Sequence, residues 1–224
     1  MRTIGFCLIF FVAVPAAIYL LSYIPFVDYT PGRGLLSRML NNQNTMFSYH
    51  SALNATHPYS SSWYEWPIIK RPIWYYSRIV SGVAGQGGLR EGISAFGNPA
   101  VWWPGIPAAL YMLWLWFKKK DYTAAFLFTG YLAQYLPWFF VTRITFIYHY
   151  FPCVVFLVMM ITYSLLQLKK SLPPKVFPAV CLAYGAIVFL LFLLYYPVLS
   201  GQPVEAAFVD KYLRLFDSWV LTAR

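Results

Sequence analysis

The sequence predicts an all-α integral membrane protein, with five transmembrane helices and a large outer loop that carries an interfacial amphipathic helix. Three observations predict it. The chain is 60% hydrophobic and only 11% charged, well away from the balance of a soluble domain. Apolar runs of about 20 residues, enough for a helix to cross the hydrocarbon core, recur along it. Between the first two runs lies a stretch dense in Pro, Trp and Tyr, which lipid would not tolerate, because Pro removes a backbone donor and unpaired polar groups are costly there. The chain then divides into a first transmembrane helix at 1–24, a polar loop at 25–99, a four-helix region at 100–199 and a tail at 200–224.

The first span covers Ile4 to Ile24 behind Arg2. It is longer than the roughly 7 to 15 residues of a signal-peptide core and lacks a small-x-small cleavage site, so it reads as a retained helix. The second span runs from about Val101 to Phe117 and stops at Lys118-Lys119-Lys120-Asp121. The third covers about Tyr122 to Phe140, which places the three lysines in a tight turn. The fourth runs from about Ile144 to Leu166, before Lys169-Lys170. The fifth covers about Val176 to Val198 and is closed by Pro197, Gly201 and Pro203, residues that do not readily continue a helix.

Short loops rich in Lys and Arg stay on the cytoplasmic side. With Lys118 to Lys120 and Lys169 to Lys175 inside, the N-terminus is cytoplasmic, and both the loop at 25–99 and the tail at 200–224 are extracytoplasmic. Much of the remaining charge of this +10 chain falls in the outer loop, at Arg33, Arg38, Lys70, Arg71, Arg78 and Arg90. Long loops are weak votes in the topology rule. Cations kept there would suit an anionic ligand such as a lipid phosphate. Membrane topology accounts for the basic balance, so nucleic acid is not an expected partner.

Within the loop, Leu35, Leu36, Met39, Leu40, Gln43, Met46, Phe47, His50 and Leu53 recur at spacings of three and four. That pattern is an amphipathic helix, too polar to span and suited to the interface. The run from His57 to Tyr76 follows, with Trp63, Trp66, Trp74, Tyr59, Tyr64, Tyr75 and Tyr76, rings with one wet end that fit headgroup depth. Gly82, Gly85, Gly87 and Gly88 mark a flexible turn, and Asn98-Pro99 opens the second span. Cys7, Cys153 and Cys181 fall in separate spans without paired spacing, which indicates neither a disulfide framework nor a metal site. No Gly-rich nucleotide loop follows a strand, and no cofactor is expected. Asn54-Ala55-Thr56 fits the glycosylation sequon, a triplet that also arises by chance.

Several motifs then fall in a telling order. Phe47-Ser48-Tyr49-His50-Ser51-Ala52-Leu53 precedes His57-Pro58-Tyr59-Ser60-Ser61, Trp63-Tyr64-Glu65-Trp66-Pro67 and Arg71-Pro72-Ile73-Trp74-Tyr75-Tyr76. Gly97-Asn98-Pro99-Ala100-Val101-Trp102-Trp103-Pro104, Gly130-Tyr131, Tyr135-Leu136-Pro137-Trp138, Arg143 with Phe146-Ile147-Tyr148-His149-Tyr150, and Tyr196-Pro197-Val198-Leu199-Ser200-Gly201-Gln202-Pro203 follow. In these motifs nearly the whole chain resembles the C-terminal four-span region of protein O-mannosyltransferases. The resemblance implies a GT-C-like glycosyltransferase portion in a multi-pass membrane setting, read here as a bacterial cell membrane. It further implies a polyprenyl- or dolichyl-phosphate mannose donor and an exported acceptor polypeptide, with mannose carried to Ser or Thr. The family's catalytic acidic pair lies in its N-terminal half. Here the acidic residues are Asp28, Glu65, Glu91, Asp121, Glu205, Asp210 and Asp217, and none forms an adjacent Asp-Glu pair. The expectation is a C-terminal portion, inactive alone and completed by an N-terminal half that is fused or supplied in trans.

Transfer to a hydroxyl needs a carboxylate for its proton and donors for the departing phosphate. Arg143 is the leading donor-phosphate candidate. On a helix, Phe146, Ile147 and Tyr150 would share its face as a track for the prenyl chain; the alternative is an arginine that snorkels at a helix end. Lys70, Arg71 and Arg78 suit the donor phosphate or the acceptor peptide, or else anionic headgroups. Glu65 is either a general base or a partner of Lys70 and Arg71. His50 and His57, with no third ligand, make a poor metal site and read either as hydrogen-bonded loop residues or as ligands; His149 reads the same way. Pro58, Ser60, Ser61, Trp66, Pro67 and Trp74 complete the loop motif, its rings serving as interfacial anchors or stacking on sugar. The second function class is a non-catalytic membrane protein, a transporter-like bundle or a scaffold that binds prenyl lipid. A transporter usually places ionisable residues at mid-span, and these spans carry almost none.

Overall fold

A computed structural model describes residues 2–25, 34–52, 55–82 and 87–223. The chain forms two compact units, residues 1–54 and 55–224. Arg33, Asp28, Leu53, Gly85 and the sequon's Asn54 lie outside the described residues.

In the first unit, α1 (Arg2–Leu21) is an apolar helix of 20 residues, with one wide π turn at Ile9–Ala13. The helix α2 (Leu35–Ala52) takes the place of the expected amphipathic element. Its polar residues clasp the end of α1. Asn42 Nδ2 donates to the Tyr23 hydroxyl at 2.9 Å, Gln43 Nε2 donates to the same oxygen at 3.2 Å and also to the Tyr19 hydroxyl. Gln43, counted in the apolar stripe from its spacing, thus works as a hydrogen-bond donor. Leu36, Leu40 and Phe47 on the same helix are exposed.

The second unit begins with the loop that the sequence reading left without strands, and here the all-α expectation is corrected. Residues Ile73–Ile79 form β1 and Leu89–Ala95 form β2, an antiparallel pair with a bulge between Trp74 and Tyr76. A third strand, β3 (Val204–Glu205), joins β2 from the tail. The order is β1-β2-β3. The run Ile-Trp-Tyr-Tyr-Ser-Arg-Ile is rich in aromatic and β-branched residues, which fit a half-buried pleated surface; assigning those rings to the interface or to sugar concealed the strand. The hairpin is closed by Arg90, whose buried guanidinium donates to Ser81 O at 2.8 Å and Gly87 O at 3.0 Å. It is a fastener of the turn, not a surface cation.

Four helices follow: α3 (Pro99–Lys119), α4 (Tyr122–Tyr135), α5 (Cys153–Lys169) and α6 (Val176–Ser200). Asn98 caps α3 by accepting from the Ala100 amide at 2.9 Å. The lysine turn forms as expected: Lys120 takes the left-handed conformation at φ 54°, and Asp121 starts α4 by accepting from the Ala124 amide at 3.0 Å. After α4 the chain tightens into a 3-10 turn at Leu136–Phe140. The fourth expected span is shorter than predicted, because residues 144–146 are not helical and Ile147–Tyr150 is a separate 3-10 turn before α5. Arg143 therefore does not sit on a helix face with Phe146, Ile147 and Tyr150. Nor does Pro197 close the last helix. It lies within α6, which continues to Ser200 and stops at Gly201, whose φ of 79° favours glycine. Among the described residues three helices are long and apolar enough to cross a membrane: α1, α3 and α6.

The core of the second unit runs from the loop into the helices through Trp66, Trp102, Met112, Ile147, Tyr150, Leu157 and Met160, all essentially without exposure. The tail belongs to it too. Val209, Leu213, Trp219 and Leu221 are fully buried, and a Cβ on Gly92 of β2 would lie 2.3 Å from Leu221 O, so the tail packs directly on the sheet backbone.

Candidate functional site

The loop and the α4–α5 connection are sewn together at Ser61. Its amide donates to Thr145 O at 2.9 Å, and the Thr145 hydroxyl returns a bond to Ser61 O at 2.8 Å. Beneath them Trp66 Nε1 donates to the Ser61 hydroxyl at 3.1 Å. The Trp66 ring lies near-parallel to His149, 5.8 Å between centroids, and edge-on to Trp138. Above this floor opens a polar pocket of about 210 Å³, lined by Ser60, Ser61, Ser62, Glu65 and residues 142–145, among them Arg143.

Within the pocket the two charged side chains stand differently. The Glu65 carboxylate is held on both oxygens: the Ser62 amide donates to Oε2 at 2.9 Å, and Lys70 Nζ lies 2.7 Å from Oε1. Burial alone would raise its pKa, but the bonds from Lys70 and Ser62, with the charges of Lys70 and Arg71, outweigh that and hold it below the ordinary 4.5. Arg143 is half-buried and has no hydrogen-bond or ion-pair partner among the described residues. Its charge, added to burial, keeps His149 below the usual histidine value, against the pull of the Phe146 carbonyl.

Arg71 and Arg78, by contrast, are engaged. Arg71 donates to Pro58 O at 3.1 Å and Ser60 O at 3.2 Å, fixing the His57–Ser60 turn. Arg78 forks onto Glu91, Nε to Oε2 at 3.0 Å and Nη2 to Oε1 at 2.8 Å. His57 accepts from the Tyr59 amide on Nδ1 at 3.2 Å and meets the Phe146 ring edge-on.

Thus Arg143, Glu65, Ser60 and Ser61 meet at one pocket, with Trp66, His57, Pro58, Arg71 and Lys70 immediately around it. Tyr150 lies deeper. It is fully buried, its hydroxyl 2.8 Å from that of Tyr131. Pro67 sits in the turn Trp66–Ile69. Trp74 is in β1, edge-on to Tyr59, and its indole N–H is buried with no partner among the described residues. His50 belongs to α2, in the other unit.

Sequence reasoning missed several members. Thr142 and Thr145 line the pocket, and nothing in their local pattern marked them. Tyr135 donates to Trp63 O at 3.0 Å. Ile69 adopts φ 55°, a conformation that costs a β-branched residue about 1–3 kcal/mol. The indoles of Trp103 and Trp219 hold that turn by donating to Ile68 O at 3.2 Å and Ile69 O at 2.7 Å. The Trp-Tyr-Glu-Trp-Pro run was a signal for the turn, but its clamps come from elsewhere in the chain.

Comparison with known proteins places this geometry. The polyprenol-phosphate-mannose–protein mannosyltransferase of Mycobacterium tuberculosis is 30% identical over 171 residues, 71% of this chain and 33% of that protein. The enzyme of the same name in Mycolicibacterium smegmatis is 27% identical over 235 residues, covering 91% and 45%. The chain thus spans a third to just under half the length of these relatives. The Saccharomyces cerevisiae protein O-mannosyltransferase Pmt1-Pmt2 complex bound to the sugar donor superposes with a TM-score of 0.68 at 20% identity, over 87% of this chain and 28% of that one. At that identity the likeness carries the fold. Residues 35–219 match the family described as the C-terminal four TMM region of protein-O-mannosyltransferase, and the chain belongs to that family.

Proposed function

We propose that this chain supplies the donor-phosphate site of a membrane protein O-mannosyltransferase. Such an enzyme moves mannose from a polyprenyl phosphate to Ser or Thr of exported polypeptides. The single observation that carries the reading is Arg143, a cation without a partner among the described residues, set in a polar pocket with Ser60, Ser61, Ser62, Thr142, Thr145 and the already paired Glu65. In the transfer, the acceptor oxygen bonds to the sugar's anomeric carbon as the bond to phosphate breaks, and a carboxylate takes the hydroxyl proton. The planar guanidinium suits the charge that develops on the departing phosphate. Lys70 and Arg71 act one step back, by fixing Glu65 and the His57–Ser60 turn.

Glu65 lies on the same pocket, but both its oxygens are engaged, so we assign it to the loop fold. The proton acceptor then comes from an N-terminal half of the enzyme, fused or in trans, and this chain alone is inactive. A prenyl-lipid scaffold would share the same pocket without transferring sugar.

We also propose five spans, with α4 and α5 added to α1, α3 and α6. The 14 helical residues of α4 and the five of the turn after it extend about 31 Å, close to the hydrocarbon thickness of about 30 Å. The 17 residues of α5 reach about 26 Å, leaving residues 144–152 outside lipid. Lysines at the α3–α4 and α5–α6 turns put those turns inside and the pocket outside a bacterial cell membrane.

The test is co-expression with the N-terminal half of a related enzyme, a sugar-transfer assay and a donor-binding measurement. Arg143→Ala should weaken donor binding at least tenfold while Arg143→Lys retains part of it. Unchanged binding across salt concentrations would remove Arg143 from the site. Labelling from outside should reach a cysteine at Ser61 and not one at Lys119; the reverse would overturn the orientation.

A further inference from the structure

Separate from the polar pocket, a groove of about 530 Å³ opens among α3, α5 and α6, within the range of about 300–1,000 Å³ usual for ligand sites. Its walls are apolar, with Pro107 and Tyr111 from α3 and Ile161 and Leu165 from α5. Its polar lining gathers toward one end, at Gln167 and Ser171. Tyr184 of α6 closes one side of it, its hydroxyl donating to Ala100 O of α3 at 2.8 Å.

One cation meets the groove's lining. Lys170 Nζ donates to Oε1 of Gln167, a lining residue, at 2.6 Å. Lys118, Lys119 and Lys120 end α3, and Lys169 and Lys175 flank the same connection as Lys170. Against these six lysines stands Asp121, the one carboxylate at this end among the described residues. It is engaged by the Tyr163 hydroxyl at 2.6 Å and the Ala124 amide at 3.0 Å, and the charge of Lys170 also acts on it. An apolar groove that ends beside lysines in excess of the one carboxylate matches an amphiphile with an anionic head.

We propose that this groove is a binding site for one anionic phospholipid, its acyl chain between α3 and α5 and its phosphate held by Lys170 beside Gln167 and Ser171. A zwitterionic lipid would gain the apolar contact but not the charge. The proposal does not depend on the donor site, since the two share no lining residue.

Native mass spectrometry of the full chain in detergent tests it, with phosphatidylglycerol and phosphatidylcholine of identical acyl chains as probes. The expected result is one saturable phosphatidylglycerol, bound at least tenfold more tightly than phosphatidylcholine. The double variant Lys169→Gln/Lys170→Gln should lose that preference, Lys170→Arg should keep it, and Ser164→Phe, which fills the groove, should weaken both lipids. Circular dichroism of each variant checks its fold. Equal, non-saturating uptake of the two lipids would overturn the proposal, as would an unchanged preference in the double glutamine variant. Displacement of phosphatidylglycerol by polyprenyl phosphate, mole for mole, would assign the groove to the donor and equally sink it.

Discussion

Ser61 and Thr145, 84 residues apart in sequence, hold each other through two hydrogen bonds, the Ser61 amide to Thr145 O and the Thr145 hydroxyl to Ser61 O. Both are buried. This pair, more than any contact of Arg143 itself, keeps the arginine's segment against the loop. Thr145→Val leaves Ser61 O with one donor fewer and should cost about 1–2 kcal/mol, while Thr145→Ser should be nearly neutral. Thermal unfolding in detergent measures both, and equal behaviour of Val and Ser would show that the hydroxyl is idle.

The fully buried Trp219 fastens the tail by donating to Ile69 O at 2.7 Å. Trp219→Ala should cost about 3–5 kcal/mol and expose residues 204–223 to protease. Trp219→Phe, which keeps most of the ring but loses the donor, should fall between. Digestion unchanged in the alanine variant would show that the tail docks without its indole.

Glu65 gives an acid-side signature. Its pKa is held below 4.5 in the fold, so the unfolded chain binds the proton more readily. The stabilisation is fully present above 4.5 and is lost as pH falls through the lowered value. Lys70 is 52% exposed, so solvent screening limits the pair to less than about 1 kcal/mol. Unfolding midpoints followed down through that range should fall more steeply in the wild type than in Glu65→Gln, where Glu91, also held low by Arg78, still contributes.

His149 acts in the same direction at higher pH. Burial, with the nearby Arg143 charge, places its pKa below 6.5, so protonation favours the unfolded chain. Stability should fall as pH drops through 6.5, and His149→Gln should flatten that part of the profile. Arg143→Ala removes one cause and should flatten it partly. A slope identical in all three proteins would locate the titration elsewhere.

What the sequence made legible was local. The lysine turn followed from Lys118-Lys119-Lys120-Asp121, because a C-cap and an N-cap are decided within a few residues. The ion pair of Glu65 with Lys70 was within reach for the same reason. The sheet was not. The strand β3 pairs with β2 across more than a hundred residues, and no period within Ile73–Ile79 announces that partner. The helical face drawn for Arg143, Phe146, Ile147 and Tyr150 failed because hydropathy alone extended α5 backwards through residues that are not helical. Gathering Arg143 with Ser60 and Ser61 needed Thr145, whose role depends on a distant turn.

The docking of residues 204–223 on the hairpin sets an order of events during assembly. Four helices lie between β2 and β3 in the chain, so the third strand and the second indole on the Ile69 turn come from a segment synthesised after all four. The sheet is completed last, and a chain cut short before residue 204 would leave the strained turn without its Trp219 clamp.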